Sequence, residues 1–151
     1  MAPEFRPLLT LLPDETLYSA VSRMHRLWGD RRAATTTSRL FGHHRAGSQH
    51  DLPCRLAHLA ERTTGTYGDA RRIAEDLTVL RFYRVFLPPD LHAHAVSVMA
   101  GDTLAHFKLR LGILTSRFRA NHPLKACVVC MAADRNRFGW AYWHLILNCV
   151  Q

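Results

Sequence analysis

The chain has 151 residues, 48% of them apolar and 21% charged, with 20 basic against 12 acidic side chains and a net charge of +8. That apolar fraction supports one hydrophobic core with room for a small satellite module and excludes wholesale disorder, while 8 Gly and 7 Pro exclude collagen-like or linker-like character. No apolar run reaches the roughly 18 residues of a membrane-spanning helix, and Leu8 to Leu12 meets Pro13-Asp14-Glu15 too soon for a signal sequence, so a cytoplasmic protein without membrane contact is expected.

Pro3 and Pro7 predict an extended N-terminal arm over residues 1–12. Asp14 offers an N-cap, and Glu15 an anion at the positive end of a helix over 15–28. Leu17, Ala20, Val21, Met24 and Leu27 recur there at helical spacing, and Gly29 is its stop. Thr35 to Ser38 precede Leu40 and Phe41 in a short helix ended by Gly42, and residues 43–49 read as loop. Asp51 caps a helix over 52–62 with Pro53 in its first turn and Leu52, Leu56, Leu59 and Ala60 on its apolar face. Thr63-Thr64-Gly65-Thr66 breaks it, and Asp69 caps the next helix, running to residue 80 through Ile73, Leu77 and Leu80. Two helices joined by a glycine-containing turn fit a helix-turn-helix, and equally two packed helices. Pro88-Pro89-Asp90 opens a helix over 90–100, stopped at Gly101. Residues 103–126 mix both periods, so short strands and a helix both fit.

The expected class is mainly α. A helical domain over 13–121 carries the helix-turn-helix-like pair, and a small zinc-finger module follows over 122–151. Leu17, Val21, Met24, Leu27, Phe41, Leu56, Leu59, Ile73, Leu77 and Leu80 are the expected core, within residues 13–86.

Charge is distributed unevenly. Eleven of the twelve acids lie at or before Asp102, and none lies between Thr103 and Ala133. That stretch carries Lys108, Arg110, Arg117, Arg119 and Lys125, a one-sign field suited to a nucleic-acid backbone. Eighteen of the twenty basic residues are Arg, whose planar fork grips phosphate. A solvated basic face without a ligand is the plainer reading of the same residues.

Four cysteines stand at 54, 127, 130 and 149. Cys127-Val128-Val129-Cys130 is a Cys-x2-Cys knuckle, and Cys149 follows after eighteen intervening residues, the spacing of a structural zinc site. A reducing compartment disfavours a disulfide framework, and a redox pair belongs with a βαβ context that the sequence does not suggest. The fourth ligand of a Cys-x2-Cys or Cys-x2-His pair falls just beyond Gln151, so the module reads as truncated; His144 and His122 are the substitutes within the chain. Cys54 reads as a small buried thiol. Trp140, Tyr142 and Trp143 fit the filling of a small zinc module, or base stacking. No phosphate loop, nucleophile elbow or His-Glu-x-x-His is present, and the adjacent pairs Asp14-Glu15 and Glu75-Asp76 diverge on a helix, which argues against a metal-dependent nuclease.

Pro13-Asp14-Glu15-Thr16-Leu17-Tyr18-Ser19, Met24-His25-Arg26-Leu27 and Leu40-Phe41-Gly42 resemble the opening of TniQ/TnsD transposition proteins. Residues 77–88, then Cys127 and Cys130 with Ala133-Asp134, Gly139 and Tyr142-Trp143, resemble later family segments in the same order. The resemblance implies a bacterial, non-enzymatic target-selection adaptor. Its partners would be DNA or a guide RNA-directed effector complex, and a transposon AAA+ ATPase, with homodimerisation compatible. It also implies a Cys-x2-Cys and Cys-x2-His zinc set, of which Cys127, Cys130 and Cys149 occupy three positions. A zinc-containing helix-turn-helix transcription regulator is the alternative.

Overall fold

A computed structural model describes residues 6–46, 49–103, 110 and 124–146. Seven helices are present among the described residues: α1 (Leu17–Trp28), α2 (Ala33–Phe41), α3 (Leu56–Arg62), α4 (Ala70–Leu77), α5 (Leu80–Tyr83), α6 (Pro89–Ala100) and α7 (Val128–Phe138). No strand occurs among them, only one antiparallel bridge between Glu15 and His144. The mainly α class expected from periodicity is therefore observed.

The core is assembled from one stripe of each helix. Leu17, Val21 and Met24 of α1, Leu40 and Phe41 of α2, Leu56 and Leu59 of α3, and Ile73 and Ala74 of α4 are buried together. The cluster extends past residue 86, because Ala95, Val96 and Met99 of α6 and Leu145 join it. α4 packs against α6, α3 and α5, and α2 bridges α1 and α3. Cys54 lies within this core, as expected of a small buried thiol, and burial pushes its pKa up.

Residues 6–12 form no regular element and lie against the bundle. Trp28 Nε1 donates to Pro7 O at 2.9 Å, and Tyr67 Oη donates to Leu9 O at 2.7 Å. Burial raises the Tyr67 pKa to about 12, so the phenol keeps the proton it donates.

Several boundaries differ from the sequence expectation, each for a local reason. α1 is capped by Thr16, whose side chain accepts from Ser19 N at 3.1 Å, and not by Asp14. Asp14 has φ 56 and turns its backbone toward the C-terminal segment. Leu27 is 48% exposed because Trp28, four residues after Met24, continues the apolar stripe and leaves Leu27 on its flank. Helix α3 starts at Leu56 rather than 52. Asp51 is buried and accepts from Leu52 N at 2.7 Å, and the N-cap position belongs to Arg55 in a left-handed conformation, φ 62. That conformation is held by Arg55 N donating to Gly101 O and Arg55 Nε to Phe41 O, both at 2.7 Å. The helix expected to reach residue 80 breaks at Thr78, whose Oγ1 donates to Ala74 O and accepts from Leu80 N. The break drives Leu80 into the core and leaves Leu77 only half-buried. Gly29 and Gly42, at φ 65 and 69, close α1 and α2 as glycine stops, and Asp69 caps α4 by accepting from Arg72 N at 2.8 Å.

Candidate functional site

The cysteine knuckle forms the start of α7. Cys127 is the N-cap, extended at φ −105, and its Sγ accepts from Cys130 N at 3.4 Å. A sulfur in that position takes the place of the Ser or Asp oxygen that normally satisfies a first-turn amide. The hydrogen bond from the Cys130 backbone pulls the Cys127 thiol below its ordinary range, whereas the Cys130 thiol, hydrogen-bonded to Cys127, is pushed up. Val128 and Val129 project into solvent, 82% and 78% exposed, and leave the dithiol at the surface.

Four residues beyond Cys130, Asp134 is buried, and His144 Nε2 donates to its Oδ2 at 2.8 Å. The imidazole is stacked on Tyr142 at 4.3 Å between centroids, and Phe138 meets Tyr142 edge-on at 6.0 Å. Tyr142 is thus buried among Phe138 and His144, whereas Trp143 is half-buried and Trp140 is exposed.

The same segment is fastened to the start of α1. Tyr142 Oη donates to Pro13 O at 2.9 Å, Trp143 N to Ser19 Oγ at 3.1 Å, Thr16 N to Trp143 O at 3.0 Å and Leu145 N to Asp14 O at 2.7 Å. Ile146 N reaches the Asp14 carboxylate at 3.0 Å. Beneath this clasp lies Glu15, which accepts from Leu12 N at 2.9 Å and from Arg23 at 2.6 Å. Burial outweighs these partners and raises the Glu15 pKa.

Of the expected metal ligands, Cys127 and Cys130 are brought together, and Cys149 lies outside the described residues. Among the described residues no group of three His, Cys, Asp or Glu side chains is placed to hold a metal ion. His144, the substitute ligand expected from sequence, is committed to Asp134, and His122 lies outside the described residues. The dithiol itself fits a soft metal: two sulfurs on one turn, one of them with a lowered pKa.

The expected nucleic-acid residues divide similarly. Arg110 is exposed, with Nη1 3.3 Å from His94 Nε2, and Lys125 is half-buried just before the knuckle. Lys108, Arg117 and Arg119 lie outside the described residues. The α3–α4 pair is a packed helix pair with residues 63–69 between its members, a longer connection than the three- to four-residue turn of a helix-turn-helix. Two features were missed by sequence reasoning. The Glu15–Arg23 pair had a signal, an acid before a helix and an Arg two turns into it. The Asp134–His144 pair had none, since it depends on a turn of chain after Gly139.

These features define a helical domain whose C-terminal segment, which follows a half-buried dithiol, is clasped to its first helix. The family model described as TniQ matches residues 7–150, and the chain belongs to that family. It is also similar to the transposon Tn7 transposition protein TnsD of Escherichia coli, 25% identical over 132 residues, which cover 86% of this chain and 26% of the relative. The chain thus spans about a quarter of that relative's length.

Proposed function

We propose that the chain acts as a target-selection adaptor in DNA transposition: it engages a marked target, as DNA or through an RNA-guided complex, and recruits the AAA+ ATPase that brings the transposase. The observation that carries this reading is the family match across residues 7–150, supported by similarity to a protein named for transposition. Two of the segments that resemble the family, residues 13–19 and Tyr142-Trp143, are hydrogen-bonded to each other, which is consistent with a family segment pair that acts together. Four carboxylates take part in ion pairs: Glu15 faces Arg23, Asp30 faces Arg6 and Arg39, Asp102 faces Arg55, and Asp134 faces His144.

In the same reading the knuckle is a structural metal site. Cys127, Cys130 and Cys149 would hold zinc, which when bound supplies folding free energy to a segment too short for its own core. Arg110, Arg117, Arg119, Lys108 and Lys125 would supply phosphate contacts.

The deciding experiment is affinity capture by the tagged chain of the ATPase encoded in the same mobile element, with and without target DNA. Capture that needs this chain supports the adaptor. Promoter-type DNA binding with no ATPase capture would instead favour a transcription regulator.

A further inference from the structure

We propose that an open groove between α2 and the end of α3 binds the phosphodiester backbone of duplex DNA. The inference rests on the adaptor reading for its ligand class, but it places the contact on residues outside the basic segment discussed above.

The groove, of about 460 Å³, is lined by Arg32, Ala34, Thr35, Ser38, Arg39 and Arg62. Among the described residues three guanidiniums and two hydroxyls line it, and no carboxylate does. Arg32, Thr35 and Arg39 follow one face of α2, while Arg62 approaches from the last turn of α3. Among the described residues the one acid in contact with this set is Asp30, whose side chain is only 5% exposed and accepts from Arg39 at 2.8 Å and from Arg6 at 3.3 Å. Two guanidiniums on one carboxylate leave the pair positive. Neither Arg32 nor Arg62 has a carboxylate partner among the described residues, and Glu61 is not part of the lining.

The chemistry favours a polyanion over a small ligand. A small molecule needs an enclosing, largely apolar wall, and among the described residues Ala34 is the one apolar side chain here. Arg32 and Arg39 are two helical turns apart, about 10 Å along the axis at 1.5 Å per residue. That reach exceeds the spacing of one phosphate per ~3.4 Å of rise along a strand, so the two ends of the groove address different phosphates. Thr35 and Ser38 place hydroxyl donors between them, as backbone-positioning contacts require. Asp30 holds Arg39 in place, which reduces the side-chain freedom lost on binding.

The test is fluorescence anisotropy of the whole chain with a labelled duplex of arbitrary sequence, titrated with salt. The R32A/R62A variant leaves the Asp30 network intact and is compared with R71A/R72A, an equal charge loss on the exposed face of α4. R32A/R62A is expected to bind more weakly and to lose about two units of salt slope, near 0.9 per phosphate contact, while R71A/R72A keeps the wild-type slope. Unchanged binding by R32A/R62A, or an equal loss in both variants, overturns the groove. So does displacement of the duplex by inorganic phosphate or polyglutamate beyond the effect of matched chloride, which would mark a site for a free anion or an acidic peptide. Wild-type DNA binding by R32A/R62A together with ATPase capture removes the groove and leaves the adaptor standing. A wild-type chain that binds neither DNA nor ATPase removes both.

Discussion

Glu15 and Arg23 meet at 2.6 Å inside the bundle, one carboxylate oxygen against one guanidinium nitrogen, with both side chains largely withdrawn from water. Among the described residues the second carboxylate oxygen and Arg23 Nε have no hydrogen-bond partner. The pair is therefore only partly compensated for its desolvation, and it sits where residues 12–16, α1 and the C-terminal segment meet. Arg23→Ala leaves Glu15 buried alone and should cost about 3–5 kcal/mol, whereas Arg23→Ala combined with Glu15→Gln should lose less than Arg23→Ala by itself. Chemical denaturation of the three proteins checks the order.

The same glutamate predicts a pH dependence. Its pKa is raised on folding, chiefly by burial, so the folded chain holds its proton up to a higher pH than the unfolded chain does. Between the ordinary glutamate value and the raised one, folding takes up a proton, and this group's contribution to stability falls as pH rises. Melting temperatures from about pH 4 to about pH 7 should decline less in Glu15→Gln than in wild type. Parallel curves would mean that the carboxylate titrates alike in both states.

Packing separates two leucines that look equivalent on a helical wheel. Leu59 is fully buried and Leu27 is nearly half exposed. Leu59→Ala should cost about 2–5 kcal/mol by leaving a cavity in a packed core. Leu27→Ala should cost less than about 1 kcal/mol, because little apolar area returns to water. Equilibrium unfolding of both variants compares the two sites directly.

For the basic segment, Arg110→Ala, Arg117→Ala and Arg119→Ala together should weaken DNA binding and lower the salt slope by about one unit per lost phosphate contact. Unchanged affinity and slope would return these residues to a solvated face. Combined with R32A/R62A, additive slope losses would show that both surfaces touch the backbone.

Much of the helical frame was readable because its signals are local. Gly29, Gly42 and Asp69 act within one turn of their own helices, and the Cys127–Cys130 knuckle depends only on i, i+3 spacing. What escaped is set by contacts between distant segments. Asp14 was drawn away from capping by Leu145 and Ile146, more than 130 residues later. Arg55 starts α3 because Gly101 and Phe41 hold its backbone and side chain. The arginine groove joins residues 32 and 62 through the packing of α2 on α3, which no periodicity in either helix reports.

The final prediction concerns the metal. Cys127 and Cys130 present two sulfurs on one helical turn, and the lowered pKa of Cys127 reduces the proton cost of forming the first thiolate. Cobalt(II) titration of the whole chain should produce thiolate-to-metal absorbance, and zinc should bleach it, since a soft N/S site prefers zinc to cobalt. Cys127→Ser, Cys130→Ser and Cys149→Ser should each weaken that signal, while Cys54→Ser, at a thiol buried in the helical core, should leave it intact. Binding should weaken as pH falls, because protons compete with the metal for the sulfurs. Asp134→Asn gives the decisive contrast: it removes a negative charge that raises the Cys130 pKa, and it is not itself a proposed ligand. Retained cobalt absorbance in Asp134→Asn and loss in the three cysteine variants would support a thiolate site built on the knuckle. Absorbance that survives Cys149→Ser would reduce the site to the knuckle dithiol, and its absence in the wild-type chain would end the zinc reading for these residues.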